Sequence, residues 1–558
     1  MSELSYLCVP RTVPYQYQTI IQVFNEISTL CPNKEILVYR GIDGTRKSLT
    51  CHQLQTQATK LAGYLIKKGI KKGDKIALSG PNTLEWVIAE LAIIMAGGVA
   101  VQVPFDITDA RDVHEIASIA ECKAFLLDPV RNNEYVDMIL QLIAYTKDDS
   151  NLSTFAFLRK SKHLTSYDDM PGILQLNETD VEFPTLYPED DIVVFTTSGS
   201  TGKPKMIPKT HFQATNNGMI FSEKTYNDRP FTWLAGCPIF TVYQGYSRIF
   251  CDSSVATEGH RTMRIWEVIK EEDCTSALLS PNFLLYLVSH GDNYKNSFKL
   301  DTVITTGEMV DNVHTKVVGV FTKSLTVLYG STETSRISVL PPITTAGEKR
   351  VGDVGIPISG IEVKVIDGGG NILRKGESGE LCIRSICGFE KYYKDTDLTD
   401  EVLLSGKWFR SGDIVCLDKN NHILIKGRVT EFICRGTKKI MPGSIEEVIQ
   451  KKNGNDLAGG RVIPDPILCE KITSTVAPDE EDNDLYPACA VTRSMTRRKE
   501  ANDDHVQAPN TAGSSHEIDL SDTFLFDLDD ISHENRQSFN NKSPLKTSDD
   551  GGPNTQVD

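Results

Sequence analysis

This 558-residue chain has no closely spaced cysteine pair, no unbroken hydrophobic run and no excess of basic charge. Its 13 cysteines are an odd number, scattered singly, with no C-x-x-C spacing. Cys382 and Cys387 are five apart with no second pair to complete a zinc site, so the pattern reads as free thiols in a reducing compartment. The longest apolar stretch, Trp86 to Phe105, is broken by Glu90, Gly97 and Gly98. It reads as a buried helix feeding a strand, not as a membrane span. The N-terminal MSELSYLCVPRTVPYQYQ has no basic stretch leading into an apolar core, and the C-terminal TQVD is not a peroxisomal address. A soluble cytoplasmic protein is therefore expected. With 59 basic against 75 acidic residues the net charge is −16, a surface that repels nucleic acid and anionic membrane at long range. No nucleic-acid partner is expected, and an anionic substrate has to be met by a local positive site. No repeat of solenoid period is visible.

What is present is a globular composition, 40% hydrophobic and 24% charged. The acidity is uneven. Residues 501–558 hold twelve acids and three bases, so nine of the sixteen net negative charges belong to this tail. There Asp, Ser, Asn, Gly and Pro dominate and apolar periodicity stops, apart from Phe524 to Leu528, which predicts disorder. Residues 451–500 are atypical and are expected to be poorly ordered.

The first 180 residues alternate helix and strand signals. Thr50 and Gln53 have the form of a capping box, and Leu54, Leu61 and Leu65 then share one helical face until Gly69. Strands are predicted from Lys75 to Leu78 and from Val99 to Val103, with a helix from Leu84 to Met95 between them. Phe125 to Leu127 and Thr154 to Leu158 read as further core strands. This rhythm predicts an α/β fold, a large N-terminal region of parallel-rich sheets covered by helices. From about Asp353 to Leu424 the pattern is strand-rich, with Ile361 to Ile366 alternating and Gly368 to Gly370 supplying a turn. A small β subdomain over about 353–425 is expected.

The most informative stretch is an apolar strand, Asp191 to Phe195, running into TTSGSTGKPK at Thr196 to Lys205. Glycines let backbone N–H groups approach an anion, hydroxyls donate hydrogen bonds and lysines supply charge, the inventory of a polyphosphate cradle. A flexible loop with solvated lysines has the same inventory. It is not a Walker loop, since Pro204 follows Lys203 where Ser or Thr is required. Four more segments follow in order: Tyr329-Gly-Ser-Thr-Glu333, Ser411-Gly-Asp413 after Trp408, Gly427-Arg428, and Arg435 to Pro442 with Ile445-Glu446.

Taken together these segments resemble the signature of the AMP-forming acyl-adenylate superfamily, which includes acyl-CoA synthetases, coumarate-CoA ligases, beetle luciferases and peptide-synthetase adenylation domains. The likeness covers roughly residues 15–450. It implies an adenylate-forming large domain over 15–427 and a hinge with the start of a C-terminal lid over 428–450. The implied reaction joins a carboxylic acid of the fatty class to coenzyme A through an acyl-adenylate, with Mg-ATP as the energy source. Thr197, Ser198, Gly199, Ser200, Thr201, Gly202 and Lys203 would hold phosphates, with Lys205 as a catalytic cation. Tyr329, beside Gly330 and Ser331, offers a flat face for adenine, against the alternative of an ordinary core aromatic. Thr332 would donate to a phosphate oxygen, and Glu333 would hold Mg²⁺, a hard cation that takes one or two carboxylates plus phosphates. Asp413 would accept from ribose hydroxyls and Arg428 would add a ribose or phosphate contact, unless the two simply form a surface ion pair worth under about 1 kcal/mol. Gly307 and Glu308 fall where the family has its adenine-contacting loop. His211, Thr241 and Thr306 are placed at the acyl pocket, where Thr241 stands in for a usual histidine.

The likeness fails after Lys451. The family's lid carries a lysine, in a P-x-T-x-x-G-K setting, that reaches the α-phosphate. No segment here matches it, so the lid reads as truncated and replaced by an unrelated tail. Thr430 occupies a hinge position usually held by Asp or Lys, and Cys434 one often held by Lys. The expected outcomes are an impaired ligase or, as the alternative, a pseudoenzyme that keeps nucleotide or acyl binding and presents its acidic tail to partners.

Overall fold

The structure is a computed structural model. It describes residues 3–429, apart from positions 42, 106, 130–132, 148–153, 177–179, 198–203, 219–246, 252–261 and 296, and beyond 429 only five strands. The chain forms two compact units, one built on Met1–Val429 and the other on Thr430–Asp479 with Thr511–Asp558.

The first unit opens with a seven-stranded sheet in the spatial order Lys205–Thr210, Asp191–Thr197, Val99–Gln102, Lys75–Ser79, Cys122–Leu127, Thr154–Phe157, Asp168–Asp169. Every neighbouring pair is parallel except the first. Strand side chains alternate between faces, so a strand covered on both sides must be apolar throughout. The stretch Ala124 to Leu127 shows this directly. Ala124 and Leu126 enter one core with the helices Ile20–Leu30, Cys51–Lys67 and Leu84–Met95. Phe125 and Leu127 enter another with Ala110–Ala120 and Asn133–Tyr145. The capping box read at Thr50 is formed: its Oγ1 accepts from the Gln53 amide at 3.2 Å, and its own amide donates to Gln53 Oε1 at 2.9 Å. The same device at Thr19 and Gln22 starts the helix Ile20–Leu30.

The helix Leu84–Met95 is apolar on nearly all sides and buried, as its sequence suggested, and Glu90 inside it is also buried. Burial pushes the Glu90 carboxyl up to about 8, against the opposing influence of Gln102, whose amide donates to Oε1 at 2.7 Å, and of Arg248. The group is therefore neutral at pH 7, which is how the core tolerates it. Among the described residues no helix is long and apolar enough to cross a membrane.

A second, three-stranded sheet joins Arg248–Cys251, Glu35–Arg40 and Arg46–Thr50. A third runs Ser276–Leu278, Thr302–Thr305, Leu325–Ser331, Ser335–Val339, Ile356–Pro357; its first three strands are parallel. The strand-rich region read from Asp353 is an antiparallel six-stranded sheet of Glu362–Ile366, Ser378–Arg384, Trp408–Leu417, Leu403–Leu404 and Ile423–Arg428, edged by Tyr6–Cys8. That edge strand lies ahead of residue 15, and Tyr6 pairs with Lys364 across most of the unit's sequence.

In the second unit Ile433–Arg435 pairs with Lys438–Ile440, and Ala458–Asp465 forms a hairpin with Cys469–Val476. Residues 451–500, expected to be poorly ordered, thus contain two eight-residue strands. Val462, Ile463, Ile472, Thr473, Thr475 and Val476 are β-branched and favour extended backbone, a local signal that regional composition hides. In the tail Ile518–Asp519 adds a short strand to this hairpin. The rest of 501–558, the hinge residues Thr430 and Glu431 and the end of the lid-like segment fall outside the described residues.

Candidate active site

Parallel strands place their following loops at one edge of their sheet, and the phosphate loop and the segment Thr306 to Glu308 each follow such a strand. Asp191–Thr197 ends at Thr197, and the chain returns antiparallel with Lys205 opposite Thr197. The phosphate-loop residues Ser198 to Lys203 lie outside the described residues, as does Thr241; their two anchors, Thr197 and Lys205, are cross-strand partners. The Thr196 hydroxyl donates to the Gln102 carbonyl at 2.6 Å, fixing the end of the strand on its neighbour.

In the third sheet Thr305 is opposite Val327, so Thr306 to Glu308 and Tyr329 to Ser331 leave adjacent strands at the same edge. Gly307 has φ +98°, a backbone state that glycine adopts freely, and Gly307 and Glu308 are exposed. Gly330 is required for a different reason. A Cβ there would sit 1.8 Å from the Ser335 carbonyl oxygen, so only glycine lets the two strands meet at the bulge between Tyr329 and Gly330. The turn beyond is internally braced. The Thr334 amide donates to Ser331 Oγ at 3.2 Å, and the Ser331 amide donates to Thr334 Oγ1 at 3.2 Å. Ser331 is thereby engaged within the turn, while Thr332 and Glu333 stand half-buried at its tip.

Two sets of hydrogen bonds tie this turn to segments distant in sequence. The Tyr329 hydroxyl donates to Asp413 Oδ2, and Arg428 Nε lies 2.9 Å from Asp413 Oδ1. Burial and the Asp413 carboxylate push the Tyr329 hydroxyl well up, which keeps it a donor. The ion pair considered for Asp413 and Arg428 thus forms, with Arg428 half-exposed. It does not exhaust the aspartate, because each carboxylate oxygen has two lone pairs. Asp413 and Arg428 are cross-strand partners, so the hairpin itself sets their register.

The other set surrounds Glu333. Lys209 Nζ donates to its main-chain oxygen at 2.6 Å, and the Tyr392 hydroxyl donates to its Oε1 at 2.9 Å. Burial pushes the Lys209 amine down to about 8. Glu333 Oε2 takes no hydrogen bond among the described residues. Nor do these residues contain a group of three or more His, Cys, Asp or Glu placed to hold a metal. A single free carboxylate oxygen suits a Mg²⁺ whose other ligands are phosphates and water. Lys209 and Tyr392 were missed in the sequence, where neither lies in the segments that carry the resemblance.

His211 is 1% exposed, and its Nδ1 accepts the Ile20 amide at 3.2 Å. Burial pushes its imidazole from 6.5 down to about 4, so the ring is neutral. It can line an apolar chain but supplies no cation to a carboxylate. The unfolded chain binds this proton first as pH falls, so stability is intact above about 6.5 and is lost progressively down to about 4. The loss is on the order of 3 kcal/mol. His211→Asn keeps an acceptor for the Ile20 amide and does not titrate there. Urea unfolding at pH 7 and pH 4.5 should show wild type losing stability relative to this variant, and a constant difference would refute the assignment.

The chain is similar to known proteins in sequence and in fold. A family model described as AMP-binding enzyme matches residues 24–393. The mitochondrial medium-chain acyl-CoA ligase ACSF2 of Danio rerio is 27% identical over 472 residues, covering 78% of this chain and 76% of its own. The putative acyl-CoA synthetase YngI of Bacillus subtilis is 26% identical over 467 residues, covering 78% and 83%. The anthranilate CoA ligase AuaEII, solved with anthranoyl-AMP, has a TM-score of 0.69 at 18% identity, covering 87% of this chain and 90% of that one. A Mycobacterium tuberculosis fatty acyl CoA synthetase has a TM-score of 0.63 at 20% identity, covering 82% and 87%. The structural likenesses establish a common mixed α/β fold, and the family match spans most of the first unit. The chain belongs to the AMP-binding enzyme family, and its sequence is similar to those of acyl-CoA ligases.

Proposed function

We propose that the protein activates a carboxylic acid, of the fatty class, with Mg-ATP and passes it to coenzyme A. In the first half-reaction a carboxylate oxygen attacks the α-phosphorus, the bond to the β-phosphate oxygen breaks, and acyl-adenylate and pyrophosphate form. In the second the coenzyme A thiol, losing its proton, adds to the acyl carbon, and AMP leaves with the mixed-anhydride oxygen. In-line phosphoryl transfer asks a protein mainly for positioning and charge neutralisation.

The observation that carries the reading is the Tyr329–Asp413–Arg428 link beside the Glu333 turn. It puts an aromatic face, a hydroxyl-accepting carboxylate and a free carboxylate oxygen on one short path, the requirement for adenine, ribose and metal-bound phosphate respectively. The loop Thr197 to Lys203 with Lys205 would cradle the triphosphate, Thr332 would donate to it, and Gly307 and Glu308 would flank the base. Mg²⁺ on Glu333 would neutralise phosphate charge. Thr306, Thr241 and the neutral His211 would wall the acyl chain. The free thiols fit a reducing compartment such as the cytoplasm.

No segment of residues 451–558 resembles the family's lysine segment. Losing a preorganised cation at developing phosphate charge costs on the order of 10²- to 10³-fold in rate, so adenylation is proposed to be slow while nucleotide binding persists. The test is pyrophosphate release with ATP, Mg²⁺ and a panel of fatty and aryl acids, with acyl-CoA followed by mass spectrometry. Acid-dependent release above a Lys205→Ala control is expected. ATP binding with no acid-dependent release would overturn the ligase reading in favour of a nucleotide-binding pseudoenzyme.

A further inference from the structure

Lys205 and Glu333 carry opposite charges and serve the same proposed triphosphate, yet no ion pair joins them among the described residues. Tyr392 contacts both. Its hydroxyl donates to Glu333 Oε1 at 2.9 Å, while Lys205 Nζ lies 5.3 Å from the centroid of its ring. An ammonium near an aromatic ring is attracted to its face, and the hydroxyl at the ring's edge donates to a carboxylate. One side chain thus gives each charge a separate seat.

Tyr392 is itself tightly held. It is 3% exposed, and its ring packs on Phe389 with centroids 4.7 Å apart. Its amide donates to Thr399 Oγ1 at 2.9 Å, at the helix Thr396–Val402. The amide of the next residue, Tyr393, donates to the Met206 carbonyl at 2.8 Å, on the same strand as Lys205. Lys209, also on that strand, bonds the Glu333 main chain, so backbone and side chain of Glu333 are anchored separately. A side chain pinned at backbone and ring has little freedom to follow either charge, and sets their positions instead.

We propose that Tyr392 is a positioning residue that keeps Lys205 and Glu333 apart, leaving the ammonium free for phosphate and Glu333 Oε2 free for Mg²⁺. This rests on the roles given to Lys205 and Glu333 above. A direct Lys205–Glu333 pair would satisfy both charges and remove both from the ligand.

The experiment is isothermal titration of the full chain with ATP, in EDTA and at graded Mg²⁺. Tyr392→Phe keeps the ring and removes the hydroxyl. Its half-saturating Mg²⁺ concentration should rise about tenfold, the loss of one hydrogen bond to a charged group, with affinity for metal-free ATP unchanged. Tyr392→Leu should in addition weaken metal-free ATP severalfold, as Lys205→Ala does. Glu333→Gln should abolish the Mg²⁺ response. If Glu333→Gln responds to Mg²⁺ like wild type, the metal role of Glu333 fails and the proposal with it. If Glu333→Gln behaves as expected but Tyr392→Phe responds like wild type, the proposal alone is overturned. Thermal unfolding of each variant is read alongside. Should Tyr392→Leu fail to fold, Tyr392→Phe decides.

Discussion

Replacing Asp413 with alanine is expected to lower ATP affinity by about 10²-fold or more. Two hydrogen bonds from ribose hydroxyls to a carboxylate are worth about 1.5–3 kcal/mol each, and 1.4 kcal/mol is a factor of ten. The substitution also removes the acceptor of the Tyr329 hydroxyl and the partner of Arg428. The effect on folding should be smaller, about 1–3 kcal/mol for the Tyr329 hydroxyl left without this acceptor and about 0–1 kcal/mol for the half-exposed ion pair. Asp413→Asn should fall in between, since its amide keeps one acceptor. Equilibrium binding of ATP together with thermal unfolding checks this. A loss below threefold would remove Asp413 from the nucleotide site and leave it a purely structural partner of Tyr329 and Arg428.

Gly330→Ala should do the most damage of any single methyl added at the site. Its Cβ would lie 1.8 Å from the Ser335 carbonyl oxygen and 2.8 Å from the carbonyl carbon, and both are backbone atoms that cannot rotate away. The strands Leu325–Ser331 and Ser335–Val339 have to separate, at a cost of about 1–3 kcal/mol, typical of overpacking, or more. The turn bearing Thr332 and Glu333 moves with them, so ATP binding should be lost along with stability. Gly368→Ala is the matched control: nothing lies within 4 Å of its added Cβ, and its φ is not positive. It should stay within about 0.5 kcal/mol of wild type in urea unfolding. Parental stability and binding in Gly330→Ala would mean that the bulge relaxes in a way the packing does not suggest.

The sequence revealed what depends on short-range pattern. The apolar strands at Lys75, Val99 and Phe125 announced themselves because both faces of the first sheet are covered, and the Thr50 capping box because its partners are three residues apart. Thr19 and Gln22 present the same signature and were readable by the same rule. The Tyr6–Cys8 strand was not, since three residues carry too little alternation and the partner lies more than 350 positions away. Within the site, the residue types at Tyr329, Glu333 and Asp413 suggested the roles proposed for them. What joins them did not show: the Tyr392–Glu333 and Lys209–Glu333 contacts span 59 and 124 residues. No spacing rule reaches such distances. Burial was equally silent for His211 and Glu90, whose neutral states follow from neighbours brought by other elements.

The pairing of Tyr6–Cys8 with Glu362–Ile366 also bears on how the protein is made. A ribosome adds about 5–20 residues per second. The first strand therefore emerges roughly 20–70 s before its partner exists. Well before that interval ends the seven-stranded sheet, complete at Thr210, has all its strands available, while the antiparallel sheet lacks its centre. The nascent chain should thus acquire the phosphate-loop scaffold first, and gain Asp413 and Arg428 only when the last hairpin joins Ser378–Arg384, two strands in from the one that has been waiting since the start.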